Sequence, residues 1–307
     1  MKRTGVWVHS MRPSDILTVG FCLCLAMLTA AFHRAIPSAF VLVLIYLSLA
    51  AVQWALPSLR KLSPFLALSH DLVFPVVAVL VIFDSLGLVV HSVNPRDIDH
   101  ILIRLDYLLF GVYPTVYLER FVNPYLTDVL QAAYSSYYFL PVTLGVYVRL
   151  KRDDTAFSET IFAILLCFYL SYIGYILFPA LGPRYVMSHL HESEVGGFLL
   201  AETIQRVLNM LEGIKRDAFP SGHTAIALTV LFIASRHAGA LFRLFTPFVV
   251  LLVVATVYCR YHYVVDVIAG VALAVVTIGT TRIYFKFYYA SYITAGSTPV
   301  AGHVSHD

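Results

Sequence analysis

The sequence predicts an all-α, polytopic transmembrane helical bundle of about eight spans, and three observations predict it. The chain is 59% hydrophobic and only 13% charged, with a mean hydropathy of +0.79, far from the balance of a water-soluble domain. Apolar runs long enough to cross a bilayer as helix recur from end to end. Polar and ionisable residues interrupt those runs in three short segments, where an apolar chain would otherwise avoid them.

Taken in order, the spans are expected near 16–33, 37–56, 71–90, 125–148, 158–179, 220–235, 245–260 and 263–284. Lys2, Arg3 and Arg12 precede the first, which superficially looks like a signal peptide. Because similar runs follow throughout, an uncleaved first span is the expectation. The sixth and seventh are short for a full crossing, so one end of each is expected to stop inside a protein-lined recess. The fifth carries Tyr169, Tyr172 and Tyr175 as a stripe, either an aromatic packing face or the lining of a lipid path. Lys and Arg are in modest excess on the N-terminal side of the alternating spans, which favours both termini in the cytoplasm.

Two long connections, about 91–124 and 180–219, then face outward. The first sets Ile98, Ile101, Leu102, Leu105, Leu109 and Val112 at helical spacing against Arg96, Asp97, Arg104 and Asp106, the pattern of a helix lying in the interface. Asp99 and Asp106 fall on one face of it, expected to be solvated, with the site entrance as the alternative. The second connection contains His189, His191, Glu192 and Glu194, read as a solvated loop with metal binding as the alternative. No fixed-period repeat or internal domain boundary is visible. The organisation expected is N-terminal spans over 1–90, a catalytic core over 91–290 and a polar tail over 291–307.

Composition also excludes some partners. A net charge of +3, scattered along the chain, gives no basic stripe for nucleic acid. Cys22, Cys24, Cys167 and Cys259 lie in or beside apolar runs without zinc or disulfide spacing, so they read as small apolar fillers.

The chemistry is expected in "FPALGPRY" (178–185), "RDAFPSGHT" (216–224) and "CRYHYVVDVIAG" (259–270), all placed by the span order at one membrane face. His262 and Asp266 are four apart, stacked on one side of a helix. The carboxylate is expected to accept the Nδ1 proton of the imidazole and leave Nε2 as a nucleophile or base. An acid inside a span costs on the order of 3 kcal/mol and needs such a partner. In the second segment Pro220 suits the first turn of a helix, Gly222 permits close backbone approach, and the free amides there form an anion cradle. Ser221 adds a hydroxyl and His223 a proton donor. Arg184 and Arg260 carry the planar fork that matches phosphate oxygens.

At these residues the sequence resembles the type 2 phosphatidic acid phosphatase superfamily, whose signature is K-x6-R-P, then P-S-G-H, then S-R-x5-H-x3-D. Pro220, Ser221, Gly222 and His223 match the second part, and His262 and Asp266 the end of the third. Leu177 stands at the lysine position, Tyr185 at the proline, and Ala255 and Thr256 where Ser-Arg would be; Arg260 is the nearest substitute. These departures, with "GPRY", "AFPSGHTA" and "YHYVVDVIAG", look like the branch that includes inositol phosphorylceramide synthases.

The resemblance implies a six-helix phosphatase-like core and a phosphohistidine intermediate. In that reading His262 attacks phosphorus, Asp266 stabilises its imidazolium, and His223 protonates the leaving oxygen. Arg184, Arg260, Ser221 and the amides of Gly222 and His223 hold the other oxygens, with no metal or other cofactor. The expected substrate is a lipid phosphate within the bilayer. A polyol acceptor makes the protein a transferase; water makes it a lipid phosphate or polyprenyl pyrophosphate phosphatase. A transporter using the His-Asp pair as a proton relay is the non-enzymatic alternative, although a relay has no use for the cradle. The expected location is a bacterial inner membrane with the site facing the periplasm.

Overall fold

The computed structural model describes residues 11–151, 153–211 and 214–294, of which 207–211 and 289–294 are described by backbone alone. All regular structure among the described residues is helical, as the composition predicts. Lys2 and Arg3, and the tail from residue 295, lie outside the described residues.

Helices α1 (Pro13–Ala31) and α2 (Ala39–Leu59) form an antiparallel hairpin, and α3 (Pro64–Val93) returns to the opposite face. Pro13 occupies the first turn of α1, where its missing N–H costs nothing. Ser63 caps α3 by accepting from the Leu66 amide. Within α3 the residues Ser69–Val73 wind as a π turn that buries His70 and Asp71. Asp71 accepts from Arg12 Nη1 and Arg149 Nε, each at 2.6 Å, and lies 2.9 Å from His70 Nδ1. Asp15 completes the network, 2.7 Å from Gln53 Nε2 and 3.1 Å from His70 Nε2. The first three helices are thus fastened to the rest by buried, partnered charge at the face where the chain begins.

The fourth predicted span is two helices, α5 (Pro124–Ser135) and α6 (Leu140–Leu150), following α4 (Asp99–Phe110). A 3-10 turn over Ser136–Tyr138 separates them, just ahead of Pro141, whose ring excludes a regular backbone bond. The sequence pattern predicts one unbroken span here, and the break is a correction. Helix α7 (Asp154–Leu177) is the axis of the molecule, buried along most of its length and packed on α1, α3 and α6. It also meets α9 (Gly222–His237) and α11 (Val264–Thr294).

Between α7 and α9 lies the outer segment with the short helix α8 (Ala201–Leu211). Asp128 of α5 anchors its entry by accepting from four successive amides, Phe198 to Ala201. Helix α10 (Gly239–Tyr258) is separated from α9 by Ala238 alone. It is therefore longer than expected, at 20 residues, while α9 has 16. Helices α1, α2, α3, α7, α10 and α11 are long and apolar enough to cross a membrane; α9 and the broken α5–α6 pair are the remaining predicted spans.

Candidate active site

The three polar segments are joined to one another through their backbones. The Ala218 amide donates to Ala180 O at 3.1 Å, the Arg184 amide to Arg260 O at 3.0 Å, and the Ser221 amide to Asp266 O at 3.0 Å. They sit where α7 and α10 end and α9 and α11 begin, one face of the bundle. The rings of His223 and His262 stand 5.6 Å apart. A small chamber of about 30 Å³ has both histidines in its wall, with Arg184, Lys215, Asp217 and Tyr261.

The partner of His262 differs from the expected one. Its Nδ1 lies 2.8 Å from the Ala218 carbonyl, and Asp266 Oδ2 is farther, at 3.6 Å. Helix α11 begins at Val264, so His262 precedes it and the four-residue helical stacking does not apply. Asp266 instead folds back and accepts from the Tyr263 amide at 2.8 Å. The chemical outcome is similar: a carbonyl only accepts, so Nδ1 holds the proton and Nε2 keeps the lone pair. Asp266 is fully buried, with Oδ2 3.6 Å from His262 Nδ1.

The cradle is also rearranged. Ser221, not Pro220, opens α9: it is the N-cap, accepting from the Thr224 amide at 3.3 Å and donating to Thr224 Oγ1 at 3.1 Å. Its hydroxyl is fully buried and committed to the helix, so Ser221 is not placed as a phosphate ligand. Gly222 is required by packing, because a Cβ there would meet the Tyr175 hydroxyl. The backbone amides of Gly222 and His223 remain at the start of α9, where no intrahelical acceptor exists. His223 is held between the rings of Tyr134 and Tyr137, at 4.4 and 4.2 Å between centroids. Its Nε2 is buried with no protein partner, and its Nδ1 is a long 3.5 Å from the Tyr134 hydroxyl.

Of the two expected arginines, one faces the chamber. Arg184 is half-buried, its guanidinium 5.2 Å from the centre of the Tyr261 ring and bonded to the Tyr185 hydroxyl at 2.8 Å. Arg260 adopts positive φ, and its side chain leaves the chamber to meet Glu119 Oε1 at 3.1 Å and Ser193 O at 2.9 Å. It ties down the outer loop, which corrects its assignment as a phosphate ligand. Ser193 donates in turn to Glu119 from Oγ at 2.8 Å and from its backbone amide, which with Arg260 holds that carboxyl below its usual range.

Lys215 and Asp217 line the chamber and were not singled out by the sequence reading. Their only signal there is position, Asp217 inside the segment 216–224 that contains His223 and Lys215 just before it. Burial raises the Asp217 carboxyl above its usual range, against the pull of His262 and Arg184. Asp99 and Asp106 are buried, contrary to the solvated face expected. Asp99 accepts from the Leu181 and Gly182 amides, each at 2.9 Å, and from the Tyr263 hydroxyl at 2.9 Å. Asp106 accepts from the Val264 and Val265 amides at 3.0 and 2.9 Å, capping α11 next to His262. Charged capping at a helix start complements its dipole. His191 reaches Thr115 at 3.4 Å, and among the described residues no three acidic, His or Cys side chains are grouped to hold a metal ion.

Fold and site together define an integral membrane helical bundle with a buried pair of facing histidines. The chain belongs to the PAP2 superfamily, whose family model matches residues 100–280. It is also similar to a PA-phosphatase related-family protein of Dictyostelium discoideum, at 25% identity over 194 residues. That match covers 56% of this chain and 34% of the relative, so the chain spans about a third of that protein's length. No solved structure matches.

Proposed function

We propose that the protein is a membrane phosphotransferase acting on a lipid-linked phosphate through a phosphohistidine on His262, without a metal ion. The observation that carries this reading is the Nδ1–H of His262 held on the Ala218 carbonyl, which leaves Nε2 as a neutral nucleophile across from His223. In the first step Nε2 attacks phosphorus, the bond to the lipid alcohol oxygen breaks, and His223 gives that oxygen its proton. Asp266 offsets the positive charge formed on His262. Arg184, Lys215 and the first amides of α9 hold the remaining oxygens, supplying the positive field a metal otherwise would. In the second step an acceptor hydroxyl gives its proton to His223 and attacks phosphorus, and the phosphorus–Nε2 bond breaks with its electron pair returning to His262.

A polyol such as inositol is the acceptor in this reading. Its support lies in the residues that depart from the phosphatase signature. Leu177 is largely exposed at the end of α7, while Ala255 and Thr256 are packed inside α10, so the lysine and Ser-Arg of the signature have no counterpart at those places. The second reading, water as acceptor, is favoured by the similarity to the PA-phosphatase related-family protein. The Lys and Arg balance supports a site on the non-cytoplasmic side, which in a bacterial inner membrane is the periplasmic face.

The test incubates detergent-purified protein with phosphate-labelled lipid phosphates, with and without inositol. Label on the polyol supports transfer, and free phosphate alone replaces it with hydrolysis. His262→Ala is expected to abolish both while keeping the wild-type melting temperature. Undiminished turnover in that variant would sink the assignment.

A further inference from the structure

Below the histidines, a cavity of about 130 Å³ runs into the membrane region between α3, α6 and α7. His223 and Asp217 stand at its upper end and are also walls of the polar chamber, so the two spaces meet at those residues. Everything below them is apolar or aromatic. Tyr172 and Tyr175 line the upper part, whereas Tyr169 turns away to Thr18 and stacks on Phe21, which divides the expected tyrosine stripe between the two roles. From Tyr175 to Ile161 along α7 the groove descends roughly 20 Å at about 1.5 Å per residue.

Its sides and floor are built by α3, α6 and α7. Val76 and Leu80 of α3 and Val142 of α6 form one edge and are themselves substantially exposed, at 38, 52 and 42%, so the groove opens sideways toward lipid. At the far end Gly145, Ile161 and Leu72 close on one another: a Cβ on Gly145 would lie 3.4 Å from Ile161 Cδ1 and 3.8 Å from Leu72 Cδ2. One helical turn further along α6 is Arg149, bonded to Asp71, the residue before Leu72. A hydrocarbon chain that passed the floor would have to displace buried, partnered charge, which is costly. Helix α3 lies before the residues matched by the family model.

We propose that this groove holds the single hydrocarbon chain of the lipid phosphate and that Leu72, Gly145 and Ile161 set the longest chain accepted. The proposal rests on the function proposed above for the substrate's phosphate and deepens it by naming the tail. The apolar lining, the sideways opening and the junction with the histidine chamber each match one part of an amphiphile of that build. The π turn has a place in the same account, since it sets Asp71 into the ionic network and Leu72 at the groove floor.

The experiment measures binding of octyl, dodecyl and hexadecyl phosphonates, whose phosphorus–carbon bond is not transferred, together with turnover of the matching alkyl phosphates. Wild type, Gly145→Leu and Leu72→Ala are compared. Gly145→Leu is expected to weaken hexadecyl binding by about tenfold or more, as the loss of several buried methylenes implies, and to leave octyl binding unchanged. Leu72→Ala, which deepens the floor, is expected to strengthen hexadecyl binding and spare octyl; it also decides the matter if Gly145→Leu does not fold. Chain-length-selective binding without turnover upholds the groove and removes the catalytic reading. Turnover with both variants acting equally on all chain lengths, or on none, overturns the groove and leaves the catalytic reading standing. Loss of both signals overturns both.

Discussion

The most informative single atom in the molecule is the Nδ1 of His262, because its contact with a carbonyl decides the tautomer of the ring. Sequence spacing predicts Asp266, as a helical neighbour, in the place of that carbonyl, and a helix start between His262 and Asp266 is invisible to spacing alone. Arg260 misled for a related reason: its position beside the motif is right for a phosphate ligand, and only the fold reveals Glu119 and Ser193 drawing it away. Asp217 offers a test at this scale. The folded chain holds its carboxyl above the ordinary value, so the folded state binds that proton more tightly than the unfolded state. Stability from this group therefore falls as pH rises from about 4 toward the raised pKa and stays lower above it. Asp217→Asn should melt a few degrees higher than wild type at neutral pH, with the difference vanishing below about pH 4. A lower melting temperature at neutral pH would mean that attraction to His262 and Arg184 outweighs the cost of burial.

Among the elements, α9 shows how closely a catalytic segment is fitted to its supports. Ser221 caps it, His223 is gripped by two tyrosine rings, and Gly222 passes under the Tyr175 hydroxyl. Gly222→Ala is expected to destabilise the protein by about 1–3 kcal/mol through that overlap. Adding Tyr175→Phe removes the obstructing oxygen and should restore most of the loss in a thermal unfolding series. If the double variant is no better than the single one, the overlap is not the cause. Apolar runs of bilayer length made the spans legible from sequence, including the positions of α1, α2 and α7. What periodicity did not reveal was the break at Ser136–Tyr138 and the extension of α10 back to Gly239, both set by local backbone geometry. Nor did it reveal that Asp99 and Asp106 are buried. An acid opposite an apolar stripe reads as solvated until the amides it accepts from, far off in sequence, are known.

For the whole molecule, the two faces of the bundle are built on opposite principles. The histidine face gathers loops around a small chamber, and the other face is closed by the network of Arg12, Asp15, Gln53, His70, Asp71 and Arg149. Asp71 balances two directly bonded arginines there. Asp71→Asn should destabilise by about 1–3 kcal/mol, because it leaves two partly buried arginines without their carboxylate. Thermal unfolding in detergent checks this, and an unchanged melting temperature would show that the network is not what joins α1 to α3 to the core.

The central claim, that phosphorus passes through His262, is tested most directly by trapping. Purified wild type and His262→Ala are mixed with phosphate-labelled lipid phosphate, quenched in alkali and resolved for label bound to the chain. The account predicts acid-labile, alkali-stable label on wild type, absent from His262→Ala. Label retained at equal level in His262→Ala, or rapid turnover with none on the wild-type chain, would contradict it.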